Sequence, residues 1–430
     1  KLFVNQNNKS KKSNIQNLKY GMNPHQTANL EQPDNKILTV LNGNPGCINY
    51  LDAIHGWKLV SRLSNILKGH YLATSIKHTI PTSLGISSDN TWLKNFDLEN
   101  LNNIYYGKIP KILKSINLKH NDGWTYIENK NKEELTSCAI SFINSRYTDP
   151  LSSFGDCLVF NSTIDTMTAK LIKNEVSDCI VAPDYSPEAL EILKKKKKGN
   201  YNIFKINAFE MDNYKNESKY INGINIEQHS NNLIFKINND NYDNLNSSAI
   251  QSMEIGFNSL AYIQSNSIIF LYKNNIVGIG AGQQNRVDAI RLAGKKARLN
   301  LLRFHPKSLN IISGFKPDVS IKQRITAMNM YLENDFYTDK IYKEWTDLFV
   351  DDFDFEFLTD KEIFDFMKDY PLTLASDGFL PFQDNIYEAA RYGVKYIIQP
   401  GGSIADNSNT QLCKELGIKM IMTGKRMFYH

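Results

Sequence analysis

The chain has 430 residues, 41% of them hydrophobic, with a formal net charge of +5. That length and apolar content imply two or three compact lobes around substantial cores, while the mild charge admits anionic ligands and argues against a nucleic-acid coat. Five widely spaced cysteines without a C-x-x-C argue against a disulfide framework or a structural zinc, and point to a reducing compartment. No apolar run approaches the ~20 residues of a membrane helix. The N-terminal KLFVNQNNKSKKSN lacks the apolar core of a signal peptide and lacks an initiator Met. The chain is therefore expected to be a trimmed piece of something longer.

In chain order, residues 1–17 read as a polar arm. ATSIKHTIP (73–81) follows, with Lys77 and His78 side by side. Neighbouring residues on a regular helix or strand point apart. For both polar heads to meet one reacting group, the backbone must bend there; otherwise this is an ordinary surface dipeptide. The Asn-rich stretches 117–133 and 212–248 read as loops or lobe junctions. DCIVAPDYSPEALEILKKKKKGNYNIF (178–204) reads as strand, helix from near Pro187, stop at Gly199, and strand. SIIFLYKNNIVGIG (267–280) predicts a hairpin turning at Asn274–Asn275. Residues 284–302 predict a helix, and 319–370 are predominantly helical. The C-terminal part repeats strand, loop, helix and strand through VKYIIQ, PGGSIADN, TQLCKEL and KMIMTG. Such alternation predicts a layered α/β fold. No tandem repeat is legible.

Several motifs carry two readings. The lysines at 194–198 suit a helix C-terminus with Gly199 as its stop, better than a nucleic-acid patch. GIGAGQQNR (278–286) could present backbone N–H groups to an anion, with Arg286 meeting a phosphate or carboxylate, but it is not a dinucleotide fingerprint. SSFGD (152–156) and PGGS (400–403) read as tight turns. Asp178 either caps backbone N–H groups or holds a ligand amine. SDGFLPFQDN (376–385) is either a helix start capped by Asp384 or an apolar wall for a flat heteroaromatic ring, with Asp384 pairing to ring N–H groups. Zinc-deaminase, P-loop, G-x-S-x-G and H-E-x-x-H signatures do not occur.

Taken together, LKYGMNPHQ (18–26), LNGNPGCIN (41–49), SIKHTIP (75–81), DPLSSFGD (149–156), EVSDCIVAP (175–183), QSNSI (264–268), GIGAGQQNR (278–286), RLAGKKA (291–297), FLPFQDN (379–385) and KRMFYH (425–430) follow one another in a family's order. The chain resembles the transformylase region of the bifunctional purine-synthesis family that joins AICAR formyltransferase to IMP cyclohydrolase. YGMNPHQ and KKKKKGNY resemble its eukaryotic branch. The resemblance implies transfer of the formyl group of 10-formyltetrahydrofolate, the co-substrate, to the 5-amino group of AICAR. It implies His78 as proton acceptor and Lys77 as oxyanion stabiliser. It places Lys19, Tyr20, His78, Gly155, Asp178, Asn266 and Arg286 on AICAR, with Lys19 near the 5′-phosphate. It places Val287, Phe379, Asp384, Ser403, Ile404 and Arg426 on the folate side, supported by Pro381, Asn385 and Phe428.

The implied fold is two zinc-free, cytidine-deaminase-like lobes with a helical connecting segment. In this chain that means an arm at 1–17, a first lobe at 18–212, a second at 213–305 and 369–430, and a helical segment at 306–368. The cyclohydrolase domain is expected to be absent from this chain. A cytoplasmic homodimer with shared active sites is implied, with no transition metal, room for a structural monovalent cation, and no nucleic-acid or membrane partner. Three departures from the family pattern stand out. Lys19 replaces a usual Arg, Ser83 stands where a glycine follows the Lys–His turn, and Ile404 replaces an alanine and is expected to narrow the folate pocket. The rival readings are a dead scaffold, against which both Lys77 and His78 weigh, and a lysine-run nucleic-acid binder lacking interleaved aromatics.

Overall fold

A computed structural model describes residues 13–34, 36–87, 102–114, 116–121, 124–129, 135–207, 216–238 and 245–430. Its strands are β1 (Ser13–Asn17), β2 (Asn29–Pro33), β3 (Leu38–Asn42), β4 (Tyr71–Lys77), β5 (Ile80–Ser87), β6 (Ile116–Asn121), β7 (Trp124–Asn129), β8 (Asp156–Phe160), β9 (Ser177–Ala182), β10 (Asn202–Ile206), β11 (Asn216–Ile221), β12 (Ile224–His229), β13 (Ile268–Tyr272), β14 (Asn275–Gly280), β15 (Leu372–Ser376), β16 (Val394–Gln399) and β17 (Lys419–Met422). Eleven of these form one mixed sheet in the order β17-β16-β15-β13-β14-β5-β4-β8-β9-β10-β3.

Local signals place the helices. Ser186 caps the helix Pro187–Lys194, whose first residue is a proline. Asn285 caps Arg286–Leu302. Ser320 with Gln323 and Thr359 with Glu362 form capping boxes that start Ile321–Glu333 and Asp360–Met367. The sheet's strands are buried almost throughout because helices cover both faces, which is why β8, β9 and β15 read as continuous apolar runs rather than alternating ones.

The sheet is built twice. A helix (Cys47–Ile66), the antiparallel hairpin β4-β5, a helix (Ser137–Arg146), and the parallel strands β8, β9 and β10 make one half. A helix (Ser247–Ser259), the hairpin β13-β14, a helix (Arg286–Leu302), and the parallel strands β15, β16 and β17 make the other. The halves meet through β14 and β5, paired at Ile276 and Leu84. This repetition is one of architecture, so no repeat is visible in the residues. The helices expected at 319–370 sit between Arg286–Leu302 and β15 and carry a core of packed aromatic rings around Trp345 and Phe349.

Three expectations change. Residues 13–17 of the expected arm form β1, paired with β2, while 1–12 lie outside the described residues. Much of the Asn-rich stretches is hairpin rather than loop: β6-β7, and β11-β12 turning at Asn222–Gly223, an Asn-Gly pair with positive φ suited to a two-residue turn. Residues 122–123, 130–134, 208–215 and 239–244 lie outside the described residues. The hairpin predicted at Asn274–Asn275 turns one residue earlier, at Lys273–Asn274, where φ is +46° and +68°.

Candidate functional site

Lys77 and His78 do sit on a bend. Lys77 ends β4 and pairs with Ile80, so His78 and Thr79 are the two central residues of a hairpin. Their φ values of +55° and +63° are those of a primed turn. Thr79 is β-branched and rarely found there, so something must hold it. Asp52, on the helix Cys47–Ile66, does so: its Oδ1 accepts the Thr79 N–H at 2.6 Å. His78 is exposed, while Lys77 is half-buried and donates to Phe154 O at 2.7 Å. Ser83 lies within β5, past the turn, and donates to Ser145 O at 2.7 Å, so the missing glycine leaves the turn unaffected.

Burial pushes the Asp52 carboxyl up to about 6, against hydrogen bonds from Thr79 and His78. The folded state therefore keeps a proton that the unfolded chain has released above about pH 4. The sign follows: this contribution to stability is full below pH 4 and lost as pH rises through 6. Asp52→Asn removes that loss. Its stability relative to the natural chain, read from urea unfolding at pH 4.5 and pH 7, should improve with pH by on the order of 1–3 kcal/mol. An unchanged difference would contradict a buried, titrating Asp52.

Around this turn lie the starts of the neighbouring strands. Gly155, at φ +77°, donates to Val176 O, and a Cβ there would stand 4.0 Å from Asp178 Oδ2. Asp178 is exposed and already meets an amine: its Oδ1 is 2.5 Å from Lys197 Nζ. That contact revises the reading of the lysine run. The helix ends at Lys194, Lys197 and Lys198 adopt left-handed φ, Lys196 lies over the Tyr201 ring, and Lys197 reaches back to the strand end. Lys19 is exposed, 5.7 Å from the Tyr20 ring centre. Tyr20 lies against Gly46, which precedes the helix Cys47–Ile66.

A second cluster forms where β13 begins and β14 and β15 end. Arg286 is buried, ion-paired to Asp377, and donates to Ser267 O at 3.2 Å and Asn266 Oδ1 at 3.1 Å. Asp377, wholly buried, also accepts from Ser265 Oγ at 2.6 Å and Ser267 N at 3.1 Å. The C-terminal segment is tied to it: Met427 N donates to Asp377 O and Ser265 N to Tyr429 O. Asn266, Arg286, Phe379, Pro381, Pro400, Gly402, Arg426 and Phe428 are among the residues lining a cleft of about 640 Å³. Arg426 stacks over Phe428 at 4.4 Å.

Two glycines of GIGAGQQNR do not face a ligand. A Cβ on Gly278 or Gly280 would lie 2.1 Å from Ala293 O or Ala289 O, so both exist to seat the helix Arg286–Leu302 on β14. Val287, Asp384, Asn385, Ser403 and Ile404 do not line the cleft. Val287 is half-buried on the first helical turn. Asp384 is exposed at the start of Gln383–Arg391, where a carboxylate favours the macrodipole, and accepts from Asn385 Nδ2. Ser403 donates to Pro381 O at 3.4 Å. Ile404 is fully exposed. The carboxylate beside the SDGFLPF wall that pairs with Arg286 is Asp377. Asp52 was unmarked in the sequence, and Lys197 and Ser265, though within quoted stretches, were given no site role, for each meets the site only through residues distant in the chain.

Strand directions put both clusters on one edge of the sheet. β4 ends there, β8 and β9 begin there, and β14, β15, β16 and β17 end there. Three strand spacings separate β4 from β13, about 14 Å at 4.8 Å each. Among the described residues no group of three or more His, Cys, Asp or Glu is placed to hold a metal ion, and no helix is long and apolar enough to cross a membrane. The five cysteines are free.

The model of the family described as AICARFT/IMPCHase bienzyme matches residues 2–296, which include Lys77, His78, Asn266 and Arg286. The chain is similar to proteins named bifunctional purine biosynthesis protein PurH from Prochlorococcus marinus. To that of strain MIT 9211 it is 30% identical over 288 residues, covering 66% of this chain and 42% of the relative. To that of strain AS9601 it is 30% identical over 298 residues, covering 68% and 44%. To that of strain MIT 9215 it is 28% identical over 320 residues, covering 74% and 47%. The match thus spans less than half the length of these curated relatives.

Proposed function

The chain belongs to the AICARFT/IMPCHase bienzyme family, and on that footing we propose that it formylates AICAR with 10-formyltetrahydrofolate. The observation that carries this reading is the strained hairpin turn that presents His78 beside Lys77. An aromatic amine is a poor nucleophile, so its proton must be taken as it attacks the formyl carbon. His78 takes that proton. The tetrahedral intermediate places charge on the formyl oxygen, which Lys77 stabilises with the N–H groups not given to Phe154 O. The bond from the formyl carbon to the folate nitrogen then breaks, and the proton held by His78 passes to the departing nitrogen.

The AICAR contacts are Lys19, Tyr20, Gly155, Asp178, Asn266 and Arg286. Phe379 and Arg426, with Phe428, form the folate side of the cleft, and Val287, Asp384, Ser403 and Ile404 are further folate contacts outside its lining. The separation of the two clusters on one chain supports a homodimer in which each site draws on both copies. Exposed Phe379, Phe382 and Ile404 support it too, since such apolar area is usually covered. The twice-built sheet supports two cytidine-deaminase-like lobes. In a longer protein the activity would be joined to IMP cyclohydrolase. The unpaired cysteines suit a cytoplasmic setting, and the eukaryotic-type character rests on YGMNPHQ and KKKKKGNY.

The test is an absorbance assay of tetrahydrofolate formation from AICAR and 10-formyltetrahydrofolate. Folded chain without turnover would overturn the proposal. In the same assay Lys19→Ala should raise KM for AICAR roughly 10- to 150-fold, the value of a charged hydrogen bond, and leave the unphosphorylated riboside unaffected. Equal losses with both would remove Lys19 from the phosphate.

A further inference from the structure

The turn that carries His78 has a counterpart in the other half of the sheet, at Lys273–Asn274 between β13 and β14. In each half the helix before the hairpin crosses the sheet at a glycine. A Cβ on Gly56 would lie 2.5 Å from Val159 and 2.7 Å from Ile76; one on Gly256 would lie 2.7 Å from Leu271 and 2.9 Å from Ala375. Four residues before each glycine stands the side chain that holds the turn. Asp52 Oδ1 accepts the Thr79 N–H at 2.6 Å. Ser252 Oγ accepts the Asn274 N–H at 3.3 Å and donates to Asn274 Oδ1 at 2.7 Å.

One architecture therefore holds the same turn twice, once with a neutral hydroxyl and once with a carboxylate. The hydroxyl suffices for the geometry. A carboxylate only 7% exposed is a costly substitute unless its charge is used. We propose that Asp52 is a positioning residue for His78, fixing the turn and steadying by its negative charge the imidazolium that forms when His78 takes the amine proton. Above about pH 6 Asp52 is ionised, and it takes no proton in the step, as expected of a carboxylate that orients a catalytic histidine. This rests on the reading of His78 as the base. The other groups facing Asp52 are Asp178, which opposes its charge and is paired with Lys197, and the buried thiols Cys157 and Cys179.

The experiment is kcat and KM against pH for Asp52→Ser, which copies Ser252, for Asp52→Asn, and for His78→Ala. Asp52→Ser should leave KM for AICAR within about twofold while kcat falls about tenfold or more. The acidic limb of its kcat profile should move to lower pH, because the natural chain loses the Asp52 charge below about pH 6 and the variant has none to lose. A profile superimposing on that of the natural chain would overturn the proposal. So would a low kcat with an unmoved limb that Thr79→Gly restores, since Asp52 would then only hold a strained turn. Should Asp52→Ser fail to fold, the isosteric Asp52→Asn carries the same comparison. A near-normal kcat in His78→Ala would instead remove the base reading itself, whatever the Asp52 variants do.

Discussion

His78→Ala should lower kcat by roughly 10²–10⁴, the usual contribution of a general base, with KM for AICAR little changed. Lys77→Ala should lower it by roughly 10²–10³, the value of one oxyanion donor. The structure sharpens the contrast between them. His78 is exposed at the tip of the hairpin, so its removal disturbs little else. Lys77 also donates to Phe154 O and so anchors the 149–156 loop; its removal should loosen that loop as well. Lys77→Arg should rescue poorly, because a planar fork cannot serve the same carbonyl and a developing oxyanion as a point charge does. The double variant should lose less than the product of the single losses, because both act in one transition state. Changes within about twofold for every variant would return this turn to an ordinary surface hairpin.

Asp377→Ala should destabilise the fold by about 3–5 kcal/mol, because it leaves the buried Arg286 guanidinium without its counter-charge. It also frees the Ser265 hydroxyl and the Ser267 N–H, and with them the anchorage of the C-terminal segment that carries Arg426 and Phe428. Asp377→Asn should cost less, since one acceptor oxygen survives, but cannot satisfy Arg286, Ser265 and Ser267 together. Replacing both partners, Arg286→Met with Asp377→Leu, should recover most of the stability while AICAR turnover stays lost. That pattern separates the pair's structural part from its place in the site. Urea midpoints read the first and steady-state kinetics the second. An Asp377→Ala chain with an unshifted midpoint would show that Arg286 finds another partner or reaches water.

By itself, the sequence determined the elements whose instructions lie within a few residues. Ser186 before Pro187 started a helix where expected, Asn285 another, and the helical stretch from 319 to 370 and the closing strand–helix–strand run followed their own periodicity. It also marked the Lys77–His78 pair as two polar heads that could meet one reacting group only on a bend, and left an ordinary surface dipeptide open. It misjudged β1 and the hairpins hidden in asparagine-rich runs, where polar composition outweighed pairing. The tertiary structure alone decided who stands beside whom. Asp52 reaches Thr79 across 27 residues and Arg286 reaches Asp377 across 91, and neither partner carries a local signature. Gly278 and Gly280 could have belonged to a turn that presents its backbone to an anion, until the helix lying on them took up the space. Caps and turns close over three or four residues and are encoded where they occur. The site is a set of strand ends, and which ends share an edge depends on the order and direction of eleven strands, settled only when the whole sheet assembles.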